Sequence, residues 1–120
     1  MNICIPTVSD AGAAARLSPH FGRAPFFTLV DVESGRAETV RNRDPQHEHG
    51  RCDPLGALEG GGVHAVVCRG MGSHALERLA ARGVPVLATD AWLVADALQA
   101  FREGRLPRLT REDAGHHDHG

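Results

Sequence analysis

The chain has 120 residues, 13 basic and 15 acidic, with a formal net charge of −2 when histidine is neutral. That length fits one domain, large enough to bury roughly two-thirds of its unfolded-chain surface and to fold without disulfide or metal. The near-balanced charge and the lack of a broad basic face argue against nucleic acid as a partner.

Three cysteines, Cys4, Cys52 and Cys68, are an odd number and make no disulfide framework. Reduced thiols in the cytoplasm are the simpler reading. The N-terminus lacks the charged and apolar regions of a signal peptide. No apolar run approaches the roughly 20 residues that span a bilayer, so no membrane association is expected. Every basic residue is arginine and lysine is absent, a compositional bias shared with abundant alanine and glycine.

In chain order, Ile3-Cys4-Ile5 is a short apolar run ended by Pro6, suited to a central strand buried on both faces. Thr7 to Ala24 has no helical period and reads as a long loop, and long loops in compact domains are often functional. Phe26 to Val32, aromatic and branched, reads as a strand. A turn at Glu33-Ser34-Gly35 returns it as a weakly alternating edge strand over Arg36 to Arg41. Asn42 to Cys52 is a second polar loop. Asp53-Pro54 then opens a short helix with Leu55 and Leu58 on its buried face, and Gly60-Gly61-Gly62 ends it. Ala65 to Cys68 is a buried strand, Arg69-Gly70-Met71-Gly72 a tight glycine loop, and Ser73 to about Arg82 a helix closed by Gly83. Val84 to Leu87 reads as a further strand. Asp90 is expected to cap a last helix carrying Val94, Leu98 and Phe101, which Gly104 stops. The polar tail from Arg105, ending in histidines, is expected to be mobile. The organisation is thus one α/β domain over residues 1–104 and a His-rich tail over 105–120.

A hairpin followed by strand–helix units predicts a mixed sheet with helices on its faces. The first strand, the returning hairpin strand and both later strands then point the same way. Their following loops leave one edge, where open α/β sheets bind ligands. That edge gathers His20, His47, His49, Cys52, Cys68 and Met71, with Gly70 and Gly72 allowing close backbone approach. Two helices begin there, and Arg23, Arg51 and Arg69 lie in the same loops, which favours an anion. Thiolate, imidazole and thioether in positive surroundings suit a metal–sulfide cluster better than a hard cation. Cys52 sits before a helix start, which favours its thiolate. Cys4 and Cys68 are expected to be small core hydrophobes. Trp92 is expected to be partly buried.

The run Leu17-Ser18-Pro19-His20-Phe21-Gly22-Arg23-Ala24-Pro25-Phe26-Phe27 resembles the signature of the dinitrogenase iron–molybdenum cofactor biosynthesis family. So do the opening Asn2-Ile3-Cys4-Ile5-Pro6, the loop of His47, His49, Gly50, Cys52 and Pro54, and Val66-Val67-Cys68-Arg69-Gly70-Met71-Gly72. The likeness spans residues 1 to about 104. It implies a ribonuclease-H-like three-layer α/β/α fold with a mixed five-stranded sheet, order 3-2-1-4-5, strand 2 antiparallel. It also implies a protein that binds an iron–sulfur or iron–molybdenum–sulfur cluster, or a cofactor precursor, and carries or stores it between donor and acceptor proteins. Nitrogen fixation itself does not follow. The expected cofactor contacts are His20, Arg23, Cys52, Gly70, Met71 and Gly72, with Cys52, His20, His47 and His49 as metal ligands.

Two other functions compete. His47, His49 and Cys52, helped by the tail, could hold one zinc or nickel ion, although three loop residues are a weaker signal than paired cysteine motifs. The domain could instead be a ligand-free interaction or regulatory module. An enzyme is the least supported class, because no nucleophile elbow, phosphate loop or dinucleotide fingerprint is present. Nuclease chemistry would need clustered carboxylates, and the first strand has none.

Overall fold

The computed structural model describes residues 1–21, 23–41 and 63–109. Five strands form one sheet in the order β3-β2-β1-β4-β5. They are β1 (Asn2–Thr7), β2 (Phe26–Asp31), β3 (Ala37–Arg41), β4 (Val63–Cys68) and β5 (Val86–Ala88). β2 runs antiparallel to both β1 and β3, while β1, β4 and β5 are parallel. This is the mixed sheet and strand order expected from the sequence.

Strand parity explains the layers. Ile3, Ile5, Ala65 and Val67 point to one face, where they pack with Val94, Ala97 and Leu98 of helix α2 (Val94–Arg102). Cys4, Val66 and Cys68, one residue out of phase, point to the other face with Leu76 and Leu79 of helix α1 (Ser73–Ala81). Side chains alternate across a strand, so a run apolar at every position must be covered on both sides. Ile3–Pro6 of β1 and Ala65–Cys68 of β4 are such runs, and the helices cover them.

The two α-helices among the described residues end alike. After α1, the Gly83 N–H donates to the Ala80 carbonyl and the Val84 N–H to the Leu79 carbonyl, each at 3.0 Å. Gly83 has φ 76°, the left-handed conformation that this double bond needs. Nothing surrounds the position where its side chain would stand, so Gly83→Ala isolates the backbone cost. It is expected to destabilise by about 1 kcal/mol, read as a lowered Tm with unchanged far-UV circular dichroism.

Three local expectations are corrected. Pro6 does not end the first strand, which continues to Thr7. β4 pairs with β1 only through Cys4, and beyond it the Pro6 carbonyl accepts from the Ser18 N–H at 2.9 Å. A strand residue's N–H and C=O point to the same side, so the N–H that proline lacks faces the side β4 has left. Asp90 does not cap the last helix: the cap position is Leu93, without a side-chain bond, and the helix starts at Val94. The last expected strand, Val84 to Leu87, is shifted to Val86–Ala88.

The segment after β1 is a loop as expected, with one 3-10 turn at Gly12–Ala14. It is also a core element, since Ala15, Leu17, Phe21 and Ala24 are buried. The described start of the tail lies along β5. Leu87 bridges Arg108, the Ala88 N–H donates to the Pro107 carbonyl at 2.8 Å, and the Leu109 N–H donates to the Val86 carbonyl at 2.9 Å. An edge strand is thereby covered. No described helix is long and apolar enough to cross a membrane.

Candidate functional site

Because β1 and β4 are parallel neighbours whose chains then leave in opposite directions, toward β2 and toward β5, a crevice opens between their carboxyl ends. Residues 15–21 fill its floor. Thr7 bridges Leu17, Ser18 N–H binds the Pro6 carbonyl, and the Phe21 N–H donates to the Gly70 carbonyl at 3.3 Å. The loop after β1 is thus joined to the glycine loop after β4, as the sheet directions predict.

His20 stands at this junction. Its imidazole is exposed, while its backbone is fixed by the buried Ser18, whose hydroxyl donates to the His20 carbonyl at 2.9 Å and accepts from the His20 N–H at 3.3 Å. The turn is therefore shaped locally, and the imidazole is left facing outward. Gly70 permits the close approach: a methyl group there would lie 3.3 Å from the Pro19 carbonyl oxygen. Gly72 caps α1 with no side-chain bond, and the direction its side chain would take is open. The first N–H groups of α1 are thus uncovered by a cap at the crevice mouth, where a helix attracts negative charge.

The remaining expected residues divide. Arg23 is exposed in the same loop. Met71 is only 7% exposed and packs in the core with Phe21, Cys68 and Leu76. Its side chain serves packing, so the glycine loop presents backbone to the crevice. Cys52, His47 and His49 lie outside the described residues, as does Gly22 of the signature. Cys4 and Cys68 are buried free thiols. Burial pushes the Cys68 thiol up from 9.0 to about 12. Burial first, then the neighbouring Cys68, pushes Cys4 up as well. Both are neutral thiols at neutral pH and poor ligands, because the thiolate is the ligating form. Among the described residues, no group of three histidine, cysteine or carboxylate side chains could hold a metal ion.

Trp92 is half-buried, at 49% exposed, and the Arg69 guanidinium carbon sits 3.5 Å from its ring centre. Arg69 lies in a loop expected at that sheet edge, and Trp92 lies just beyond the Asp90 expected to start the last helix there, the one sequence signal that could have paired them. A cavity of 510 Å³ between α1 and the strand-like residues 108–109, lined by Leu76, Ala80, Val84 and Leu109, touches none of the candidate residues.

Comparison with known proteins gives a consistent picture. The model of the family described as dinitrogenase iron–molybdenum cofactor matches residues 1–104. An uncharacterized protein of Methanocaldococcus jannaschii is 29% identical over 113 residues, covering 91% of this chain and 92% of that one. The NMR structure of a Thermotoga protein described as a candidate NifB protein of the DUF35 family superposes with a TM-score of 0.78 at 33% identity, over 91% of this chain and 93% of that one. The apo form of the orange protein from Desulfovibrio gigas gives a TM-score of 0.79 at 27% identity, over 89% of this chain and 91% of that one.

Proposed function

This chain belongs to the dinitrogenase iron–molybdenum cofactor family, and we propose that it carries or stores an iron–sulfur or iron–molybdenum–sulfur cluster, or a cofactor precursor, as cargo between a donor and an acceptor protein in the cytoplasm. The observation that supports this most is the crevice between β1 and β4. It brings His20 beside a backbone-presenting glycine loop and the uncapped start of α1. A metal–sulfide cluster carries net negative charge, so N–H groups and arginines can hold it with few direct metal bonds. Arg23 is the exposed cation of the signature loop.

Direct ligation falls to residues that can supply an available donor. Cys68 and Cys4 are held neutral and buried. Cys52 is the remaining cysteine, and His20, with His47 and His49, provides imidazole. Catalysis is not part of this function: the cargo is bound and released.

The test is anaerobic reconstitution with iron and sulfide, with and without molybdate, followed by gel filtration, visible spectroscopy and metal analysis. A coloured species is expected to co-elute with the protein. Cys52→Ala should weaken its retention several-fold or more, and His20→Ala should do so to a smaller extent, since the loss of His20 leaves the other contacts in place. Unchanged retention and spectrum in the Cys52 variant would remove the ligand role. Colourless protein holding stoichiometric zinc or nickel would replace the cluster with a mononuclear site.

A further inference from the structure

Arg69 is placed unlike the other described arginines. It follows Cys68 at the end of β4, and its side chain reaches the loop between β5 and α2. Its guanidinium lies over the Trp92 ring at 3.5 Å, and Nη1 donates to the Asp90 carbonyl and, at 3.0 Å, to the Ala91 carbonyl. Trp92 is attached in turn to the loop after β1: its carbonyl accepts from the Leu17 N–H at 2.9 Å, and the neighbouring Val94 N–H donates to the Ala15 carbonyl at 3.0 Å. The ring of contacts closes where Phe21 N–H meets the Gly70 carbonyl. Three loops at the crevice, 15–21, 69–72 and 89–93, are therefore tied into one frame, and Arg69 is the side chain that spans two of them.

The geometry points to Arg69 as the positioning residue of the cargo rim, holding the glycine loop and the 89–93 loop in fixed relation while it presents an immobilised positive charge beside them. This rests on the carrier reading above and adds how the rim is made ready for an anion. Arginine's plane can lie on an indole while one of its nitrogens donates to two carbonyls; lysine, a point charge on a flexible stem, has no plane to stack. With Nη1 engaged, the guanidinium is already ordered, so an arriving anion does not have to order it. The half-exposed tryptophan, costly as a lone surface group, is accounted for as the platform on which that cation rests.

The chain has one tryptophan, so Trp92 emission reports the stack without any cargo. Wild type, Arg69→Lys and Arg69→Met are compared in two measurements. In cargo-free protein, neutral acrylamide quenching should rise by up to about twofold in both variants, as the ring face that the guanidinium covers is opened. Unchanged quenching overturns the clamp. The proteins are then titrated with tetrathiomolybdate, a small metal–sulfur anion. Both variants should bind about tenfold more weakly than wild type, the lysine variant nearly as poorly as the methionine one. If Arg69→Lys binds like wild type, charge alone suffices and the positioning role fails while the carrier reading stands. If wild type does not bind, the carrier reading fails at this anion and the positioning role falls with it. If Arg69→Met does not fold, Arg69→Lys decides.

Discussion

Raising the pH from about 8 to about 10.5 is expected to lower the stability of this protein by about 4 kcal/mol, about 2 kcal/mol for each buried thiol. Burial raises the folded-state pKa of Cys68 from 9.0 to about 12 and raises that of Cys4 too. Between the unfolded and folded values the native chain keeps protons that the unfolded chain releases. The stabilisation is therefore complete below pH 9 and drains away as the pH climbs toward 12. The composition makes this readable. The chain has no tyrosine and no lysine, so apart from the amino terminus and Cys52, which the double variant keeps, little else titrates in the window. The amino terminus has the same sign, since its bond to Glu33 raises its pKa, but it is exposed and adds little. The measurement is the denaturant midpoint at several pH values, for wild type and for a Cys4→Ala, Cys68→Ala double variant. The wild-type midpoint should fall steeply and the double variant's much less. A flat wild-type profile would mean that the thiols ionise freely, and the argument that removes them from the ligand set would go with it.

Much of this fold was legible because its strands are short and chemically pure. Phe26 to Val30 is rich in aromatic and branched residues, Ile3–Pro6 of β1 and Ala65–Cys68 of β4 are apolar at every position, and the glycines at 83 and 104 stop helices whose apolar residues recur at helical spacing. Strand directions then determine which loops share an edge, and that is enough to bring His20 and the glycine loop together. The failures have one physical origin, contacts between residues far apart in sequence. Pro6 reads as a strand end until Ser18 takes its carbonyl. The loop after β1 reads as polar because its buried residues, Ala15, Leu17, Phe21 and Ala24, have no period. Asp90 looks like a cap, yet its carbonyl is engaged by Arg69 and the helix starts later. Met71 stands between the loop's two glycines, and its side chain packs in the core with Phe21.

Phe21→Ala is expected to cost about 3–5 kcal/mol, a large part of the 5–15 kcal/mol that holds a domain together. The ring is 1% exposed, lies 5.2 Å from the Phe27 ring centre, and fills the space between β1, β4 and α1 with Val66, Met71 and Leu79. Collapse cannot heal the gap, because the backbone on either side is pinned: Ser18 to Pro6 before it, Ala24 to the Phe21 carbonyl after it. A cavity therefore remains, and cavities add to the lost transfer energy. Phe21→Leu should cost about 1 kcal/mol, since most of the volume stays. The same residue positions the site, because its N–H is the bond that brings the signature loop to Gly70. Chemical unfolding measures the first effect and cargo retention on gel filtration the second. The leucine variant should retain cargo nearly as well as wild type, and the alanine variant should lose it even under conditions where it stays folded. An alanine variant with less than about 1 kcal/mol of damage would show that the signature loop is not anchored in the core. The crevice would then have no rigid floor, and His20 no fixed place beside the glycine loop.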